Sequence, residues 1–262
     1  MKKLYLLFIP LVFTLFMSCN SRDNRDDNDS SVQKKMMISK IMVTSFDNPA
    51  SPYISSQAFK YNSAGDLVEI NWNNSDNYAV IEYSADKKIN KIDHYKKNKG
   101  VEYTENFTYQ NNQLIQIVAE YENEAYNRII DYTYYNNGNL KSSSICEGPP
   151  CGDPSKQTFY YSGNNVSRRE DSGGGGYYIF RSDYAYDDKP NPAVNMNKYL
   201  RIVFGYQDLM GANNILTEKI YSNNMIITYT IDYNAEGLPV KSMGKDEKNR
   251  NWVQYEYEYV RL

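Results

Sequence analysis

Apolar and polar residues alternate in short runs along almost the whole chain, and each run stops at a cluster of Asn, Gly, Ser or Asp. Phe59-Lys60-Tyr61 is typical: in an extended segment its two rings share one face and Lys60 takes the other. The turn Asn62-Ser63-Ala64-Gly65 follows, and then Leu67. Comparable phrases end at Tyr83, Tyr109, Tyr134, Tyr161, Tyr186, Tyr233 and Tyr259. These tyrosines recur about every 25 residues, with one interval of about two periods, so one supersecondary unit repeats along the chain. Reading strands between turn signals gives about sixteen of them. The first six are expected at 37–46, 57–61, 66–72, 78–83, 88–95 and 101–109. The next six fall at 113–121, 128–135, 140–145, 158–161, 166–170 and 177–186. The last four fall at 215–221, 225–233, 240–243 and 252–260. Turns such as 73–77, 98–100, 136–138, 163–165 and 223–224 are short, and short loops join antiparallel neighbours. No amphipathic helix of useful length interrupts the series. The pattern predicts an all-β fold, a long antiparallel up-and-down meander.

Such a meander has two exposed edges unless it closes on itself. Two forms are open: a closed or nearly closed barrel-like sheet, and an open curled one. A sixteen-strand ring is wide enough for an aqueous lumen. One insertion, near 187–214, breaks the rhythm. It carries Pro190, Pro192 and an apolar run from 200 to 204, and proline removes a ladder N–H, so the strand is expected to stop there. The insertion is placed to plug a lumen or cap an edge. The glycines at 173–176 read as a hairpin tip.

Composition supports a sheet: 27 tyrosines are the dominant large residue, and tyrosine suits a half-wet pleated surface. The N-terminus reads differently. Lys2 and Lys3 precede an apolar run from 4 to 16 and then Ser18-Cys19, the order of a secretory signal, and the run is short for a membrane span. Phe16-Met17-Ser18-Cys19 resembles the lipobox of bacterial lipoproteins, which implies lipidation of Cys19; an ordinary secreted protein is the other reading. Residues 1–18 are then the signal peptide, 19–35 a flexible acidic tether in which 20–31 contains no apolar residue, and 36–262 a single β domain. The acidic residues after Cys19 resemble the surface-export signal of Bacteroidetes lipoproteins; a solvated spacer explains them equally. The protein is expected to be exported and lipid-anchored in the outer membrane, facing the periplasm or the surface. Loss of the two signal lysines leaves 27 Lys+Arg against 32 Asp+Glu, a net charge of −5. No basic stripe appears, which argues against nucleic acid as a partner.

The phrase Tyr-x-Tyr-Asn-x-x-Gly-x-Leu resembles the YD repeats of Rhs and teneurin shells, although Asn62, Ser84, Tyr135 and Asn234 stand where those repeats carry Asp. The chain more closely resembles a Bacteroidetes lipoprotein domain family of unknown function with a porin-like fold. The matching residues are Tyr184-x-Tyr186-Asp187-Asp188-Lys189-x-Asn191-Pro192, Asn213-Asn214, Tyr233-Asn234-x-x-Gly237-Leu238-Pro239-Val240-Lys241 and Tyr255-x-Tyr257-x-Tyr259. The resemblance implies a large antiparallel barrel-like sheet, exported and lipid-anchored, and implies no activity.

Catalytic chemistry has little to stand on. His94 is the single histidine, and no nucleophile phrase points to it. Clustered metal ligands are missing from the sequence, and no cofactor is expected. Carboxylates lie close together at Glu102 and Glu105, at Glu120, Glu122 and Glu124, and at Asp187 and Asp188. Two carboxylates suffice for a glycosidase, while paired acids on solvated strands are ordinary. Asp187, Asp188 and Asn191 offer oxygens to a calcium ion or side-chain caps to a turn. Rings that could stack on a sugar are Trp72, Tyr177, Tyr178, Trp252 and Tyr255, against the alternative that tyrosines at this period serve as cross-strand pairs. Cys146 and Cys151, exported and separated by Gly148-Pro149-Pro150, are expected to form a disulfide. The reading is a non-catalytic envelope lipoprotein that binds a glycan or an envelope protein. The alternatives are a carboxylate-based glycan hydrolase and a carrier of an apolar ligand in the barrel lumen.

Overall fold

The computed structural model describes residues 35–262 apart from 74, 149, 151, 174–177 and 206, with the backbone alone at 178, 179, 207 and 208. Sixteen strands follow one another. The first half is β1 (Met36–Ser45), β2 (Tyr53–Tyr61), β3 (Leu67–Trp72), β4 (Asn77–Tyr83), β5 (Ile89–Lys96), β6 (Gly100–Gln110), β7 (Gln113–Tyr121) and β8 (Arg128–Tyr134). The second half is β9 (Leu140–Glu147), β10 (Ser155–Ser162), β11 (Asn165–Ser172), β12 (Tyr178–Pro190), β13 (Asn213–Ile220), β14 (Met225–Tyr233), β15 (Pro239–Lys245) and β16 (Asn251–Arg261). Each pairs antiparallel with its sequence neighbours, and β1 pairs with β16, so the barrel is closed. Closure runs through nine aligned pairs from Met36↔Arg261 to Ser45↔Val253. Lys35 and Leu262 extend it by exchanging backbone hydrogen bonds of 2.8 and 3.0 Å.

The repeated phrase has a local cause. Asn62 Oδ1 accepts from the backbone N–H of Ala64 and Asp66, and Asn234 Oδ1 does the same for Glu236 and Leu238. Gly65, Gly138 and Gly237 take φ of 81°, 83° and 77°, a region that costs a side chain but not glycine. In five of the eight phrases the closing tyrosine reaches across to the neighbouring strand. Hydroxyls of Tyr61, Tyr83, Tyr134, Tyr186 and Tyr259 donate to the carbonyls of Ile38, Leu67, Leu114, Val166 and Pro239 at 2.6–2.8 Å. These rungs are hydroxyl-to-carbonyl bonds rather than the ring-on-ring stacks that the period suggests.

Directly opposed residues in an antiparallel pair share a face. Tracing Phe59↔Ile70↔Ala79 and Ile81↔Ile92 from strand to strand separates the inner from the outer surface. The apolar residues of the inner surface concentrate at the end where the Asn/Gly turns and both described chain ends lie. There Ile38, Phe59, Leu67, Ile70, Ile89, Leu114, Ile117, Leu140, Phe159 and Val166 are buried. The insertion enters this end. It carries helix α1 (Lys198–Val203) and the single turn α2 (Gln207–Met210), and Ala193, Met196, Tyr199, Leu200 and Leu209 join the core cluster. Phe204 meets Phe59 edge-on at 6.1 Å. Tyr199 meets Tyr109 at 5.4 Å and donates to the Asn112 carbonyl.

Two expectations are corrected here. The interior at the turn end is a packed apolar core, not an aqueous lumen, because the insertion supplies the volume that a wide ring lacks. Strand β12 also does not stop at Asp187. It continues to Pro190, which aligns with Asn213 after a register shift. Side chains bind this last stretch of the strand: Asn214 Nδ2 donates to the Lys189 and Pro190 carbonyls.

Candidate functional site

The opposite end is open and polar, and its inner wall carries a row of rings. His94 stands directly opposite Tyr103, and Tyr103 opposite Tyr121. Adjacent strands lie about 4.8 Å apart, and the rings stack at 4.0 and 4.5 Å. Trp72 stacks on His94 from two strands away at 6.2 Å; the intervening rung on β4 is Ala79, whose methyl leaves the rings room. Tyr126 closes the row edge-on at 6.3 Å. His94 Nε2 lies 3.2 Å from Glu105 Oε2, which fixes the imidazole between its two ring neighbours. The faces of these rings cover one another, and burial pushes the Tyr103 hydroxyl above the ordinary tyrosine value.

Beside Trp72 the rim holds a pocket of about 250 Å³, lined by Trp72, Ser75, Asn77, Tyr78, His94, Tyr95, Glu102 and Tyr103. Tyr78 precedes the inward Ala79 and Tyr95 follows the inward His94, so this opposed pair belongs to the outer face of the rim, where the rings stack in parallel at 4.6 Å. Asn77 Oδ1 is buried there without a hydrogen-bond donor. A buried acceptor left unpaired is costly, and a ligand hydroxyl would satisfy it. Glu102 pairs with Lys96 at 3.4 Å. Aromatic faces with an amide and a carboxylate at the edge suit a polyol such as a sugar. They provide no nucleophile held by a base. Large apolar residues are exposed along the same rim: Tyr53, Ile54, Val101, Tyr126, Ile129 and Tyr221.

The ring residues singled out by sequence divide between places. Trp72 lines the rim pocket. Tyr255 lies on the inner wall three strands away, beside Tyr257 at 6.3 Å, in a cavity of about 70 Å³ with Tyr184, Glu218 and Ser242. That space holds a water or two, not a sugar. Trp252 precedes the buried, inward Val253 and so belongs to the outer face of the rim. Tyr178 begins β12 at the rim, and Tyr177 lies outside the described residues. Cys146 ends an outer rung of β9 and is disulfide-bonded; Cys151 and Cys19 lie outside the described residues.

The carboxylates are dispersed as well. Glu105 faces inward against His94, Glu120 accepts from Asn106 Nδ2 at 3.0 Å, and Glu122 and Glu124 are exposed. Asp187 accepts from the backbone of Lys189 and Asn214, from Asn214 Nδ2 and from the Tyr233 hydroxyl. These donors occupy its oxygens and make it a clamp at the base of the insertion. Glu218 is held above the usual carboxylate range by burial, with Ser182 Oγ donating to it at 2.9 Å. It faces a cavity too small for a glycosidic bond. The apolar half of the interior, which a carrier of a greasy ligand would need empty, is occupied by the insertion. Sequence reasoning missed the His94–Tyr103–Tyr121 row. The available signal was four rings near open-end strand termini, all on one face once the register is known.

The outer surface is charged around the barrel. Lys60 pairs with Glu69 at 2.6 Å, Lys91 with Asp93 and Glu82 at 2.7 and 3.1 Å, Arg168 with Asp183 at 2.9 Å, and Lys40 with Glu258 at 3.0 Å. A membrane-spanning barrel needs an outward apolar band roughly 25 Å tall. Here the pattern is inverted, with apolar residues inside and ion pairs outside.

Two solved structures share this architecture. A porin-like protein from Bacteroides uniformis superposes with a TM-score of 0.56 at 16% identity, over 86% of this chain and 96% of that one. A porin-like protein from Bacteroides vulgatus gives 0.56 at 9% identity, over 87% and 100%. The fold is porin-like. No family model matches the chain, and no curated protein matches it. In this porin-like barrel the insertion plugs the turn end, and ion pairs lie on the outer face.

Proposed function

We propose that this protein is a non-catalytic, water-facing barrel of the cell envelope, anchored through lipid on Cys19, that binds a glycan at its open rim. The observation that carries the reading is the rim pocket: Trp72 supplies ring surface from the inner wall beside the unpartnered Asn77 side-chain carbonyl, and Tyr78 and Tyr95 line the pocket from the outer face. Catalysis finds less support, because the described carboxylates do not face one cleft in pairs.

A glycan array followed by calorimetry on residues 32–262 tests the reading. A hit should weaken about tenfold in both Trp72→Ala and Asn77→Ala, the loss of roughly 1.4 kcal/mol, while Trp252→Ala, on the outer face, binds as before. No glycan hit, or a hit indifferent to Trp72 and Asn77, overturns it.

A further inference from the structure

A second site stands at the plugged end. Arg201 lies in α1, within the apolar run Leu200 to Phe204, and is half-buried between the insertion and the barrel turns. Its Nε is fully buried with no hydrogen-bond partner, and Nη1 reaches only the Gly211 carbonyl at 3.4 Å. Among the described residues no carboxylate forms an ion pair with it, and burial alone lowers its pKa. A buried charge persists in proteins when it is paired, so the guanidinium lacks the partner that its burial demands.

Next to it is a cavity of about 120 Å³, whose lining includes Arg201, Lys198, Asn139, Asn164 and the backbone at Gly138. Every polar side chain in that set except the amide oxygens is a donor, and both charged groups are cations. The volume is several times that of a water, whose share of the liquid is about 30 Å³, and suits a tetrahedral oxyanion. The cavity adjoins a wider groove of about 640 Å³ through the shared residues Asn139 and Tyr161, and Tyr135, Tyr160 and Lys141 line that groove. An oxyanion at Arg201 therefore has room outside the cavity for whatever carries it.

We propose that the cavity between Arg201, Lys198 and the turns at 138–139 and 163–164 is an oxyanion-binding site that takes a phosphate, free or borne on a larger ligand. The guanidinium supplies a planar fork of donors matched to phosphate oxygens, Lys198 supplies a point charge at the entrance, and the asparagine amides complete the shell. The site is separate from the rim pocket and does not rest on glycan binding there.

The test is thermal unfolding of the full soluble domain in inorganic phosphate, against sodium chloride at equal ionic strength. Phosphate should raise the melting temperature with a saturable dependence, as expected for a ligand that binds the native state alone, and chloride should not. Arg201→Met should abolish the phosphate response and raise the melting temperature in its absence, since it removes an unpaired buried charge. Lys198→Gln, at an exposed position, should retain the fold and weaken phosphate about tenfold. It keeps the proposal falsifiable should Arg201→Met fail to fold. Glucose 6-phosphate is the arm that distinguishes the sources. Affinity at least tenfold above inorganic phosphate, lost in Tyr160→Ala, indicates a sugar-borne phosphate; equal affinity indicates the free anion. The proposal is overturned if phosphate and chloride act alike, or if the phosphate response survives unchanged in Arg201→Met or Lys198→Gln.

Discussion

Raising the pH should unfold this barrel abruptly, and the tyrosines set where. Burial pushes the hydroxyls of Tyr61, Tyr103, Tyr132, Tyr161, Tyr184 and Tyr259 well above the ordinary tyrosine value. For Tyr61 and Tyr259 the hydroxyl is also a donor to a backbone carbonyl, a role that a phenolate cannot fill. The sign follows from proton linkage. The native state keeps these protons while the unfolded chain releases them, so the stabilisation is complete below the unfolded value of about 10 and is lost as the pH rises beyond it. At one pH unit above that value each retained proton costs the native state about 1.4 kcal/mol. Six such groups together cost about 8 kcal/mol, which lies within the roughly 5–15 kcal/mol stability of a typical domain. Unfolding is therefore expected about one to two pH units above the ordinary tyrosine value. The assay is a titration followed at once by tyrosinate absorbance and far-ultraviolet circular dichroism. A burst of tyrosinate absorbance should coincide with the loss of β signal. Smooth ionisation centred near 10 with the β signal intact would refute the reasoning, because it would mean that the hydroxyls are solvated.

The rungs can be removed singly: Tyr83→Phe deletes the bond to the Leu67 carbonyl and should cost about 1–2 kcal/mol, seen as a lower urea midpoint at unchanged slope. Cys146 and Cys151 are expected to be the bonded pair, so denatured, unreduced domain should take up no thiol label, whereas two labelled cysteines would exclude the bond; closing so short a loop contributes about 2 kcal/mol. Cys19→Ala should move the protein from the membrane to the soluble fraction, and an unchanged mass of the N-terminal peptide would rule out lipidation.

Much of the fold was legible because its determinants are local. The phrase around Phe59, Tyr61 and Gly65 encodes a strand, a turn that only Gly accepts cheaply and the start of the next strand, and each repetition does so independently. Short turns then leave a meander as the available topology. Closure was left open because it depends on β1 meeting β16, a contact with no signature in either strand alone. The interior was misjudged for a related reason. Nothing in the run from 200 to 204 says whether it covers an outer edge or enters a ring, and the difference decides whether sixteen strands surround water or a core. At the rim, Trp72 was visible as a lone large ring. His94 was set aside because a single histidine suggests no catalysis, while its role between Trp72 and Tyr103 appears only through the register of four strands. Arg201 offered one clue, a lone cation inside an apolar run.

The seam between Met36–Ser45 and Asn251–Arg261 has a consequence for how the molecule comes into being. It joins segments more than 200 residues apart, and contacts of such separation carry the largest loop-closure entropy and slow folding. In vectorial synthesis the first strand is finished long before its partner on one side exists. Hairpins can zip successively from β2 onward, each next to the one before, yet until β16 arrives both ends of the growing sheet are unpaired edges, the form of strand most prone to pair with the wrong chain. The ring thus has a single late step on which its solubility depends, and the stretch of time before that step is where a chaperone would have the most to protect.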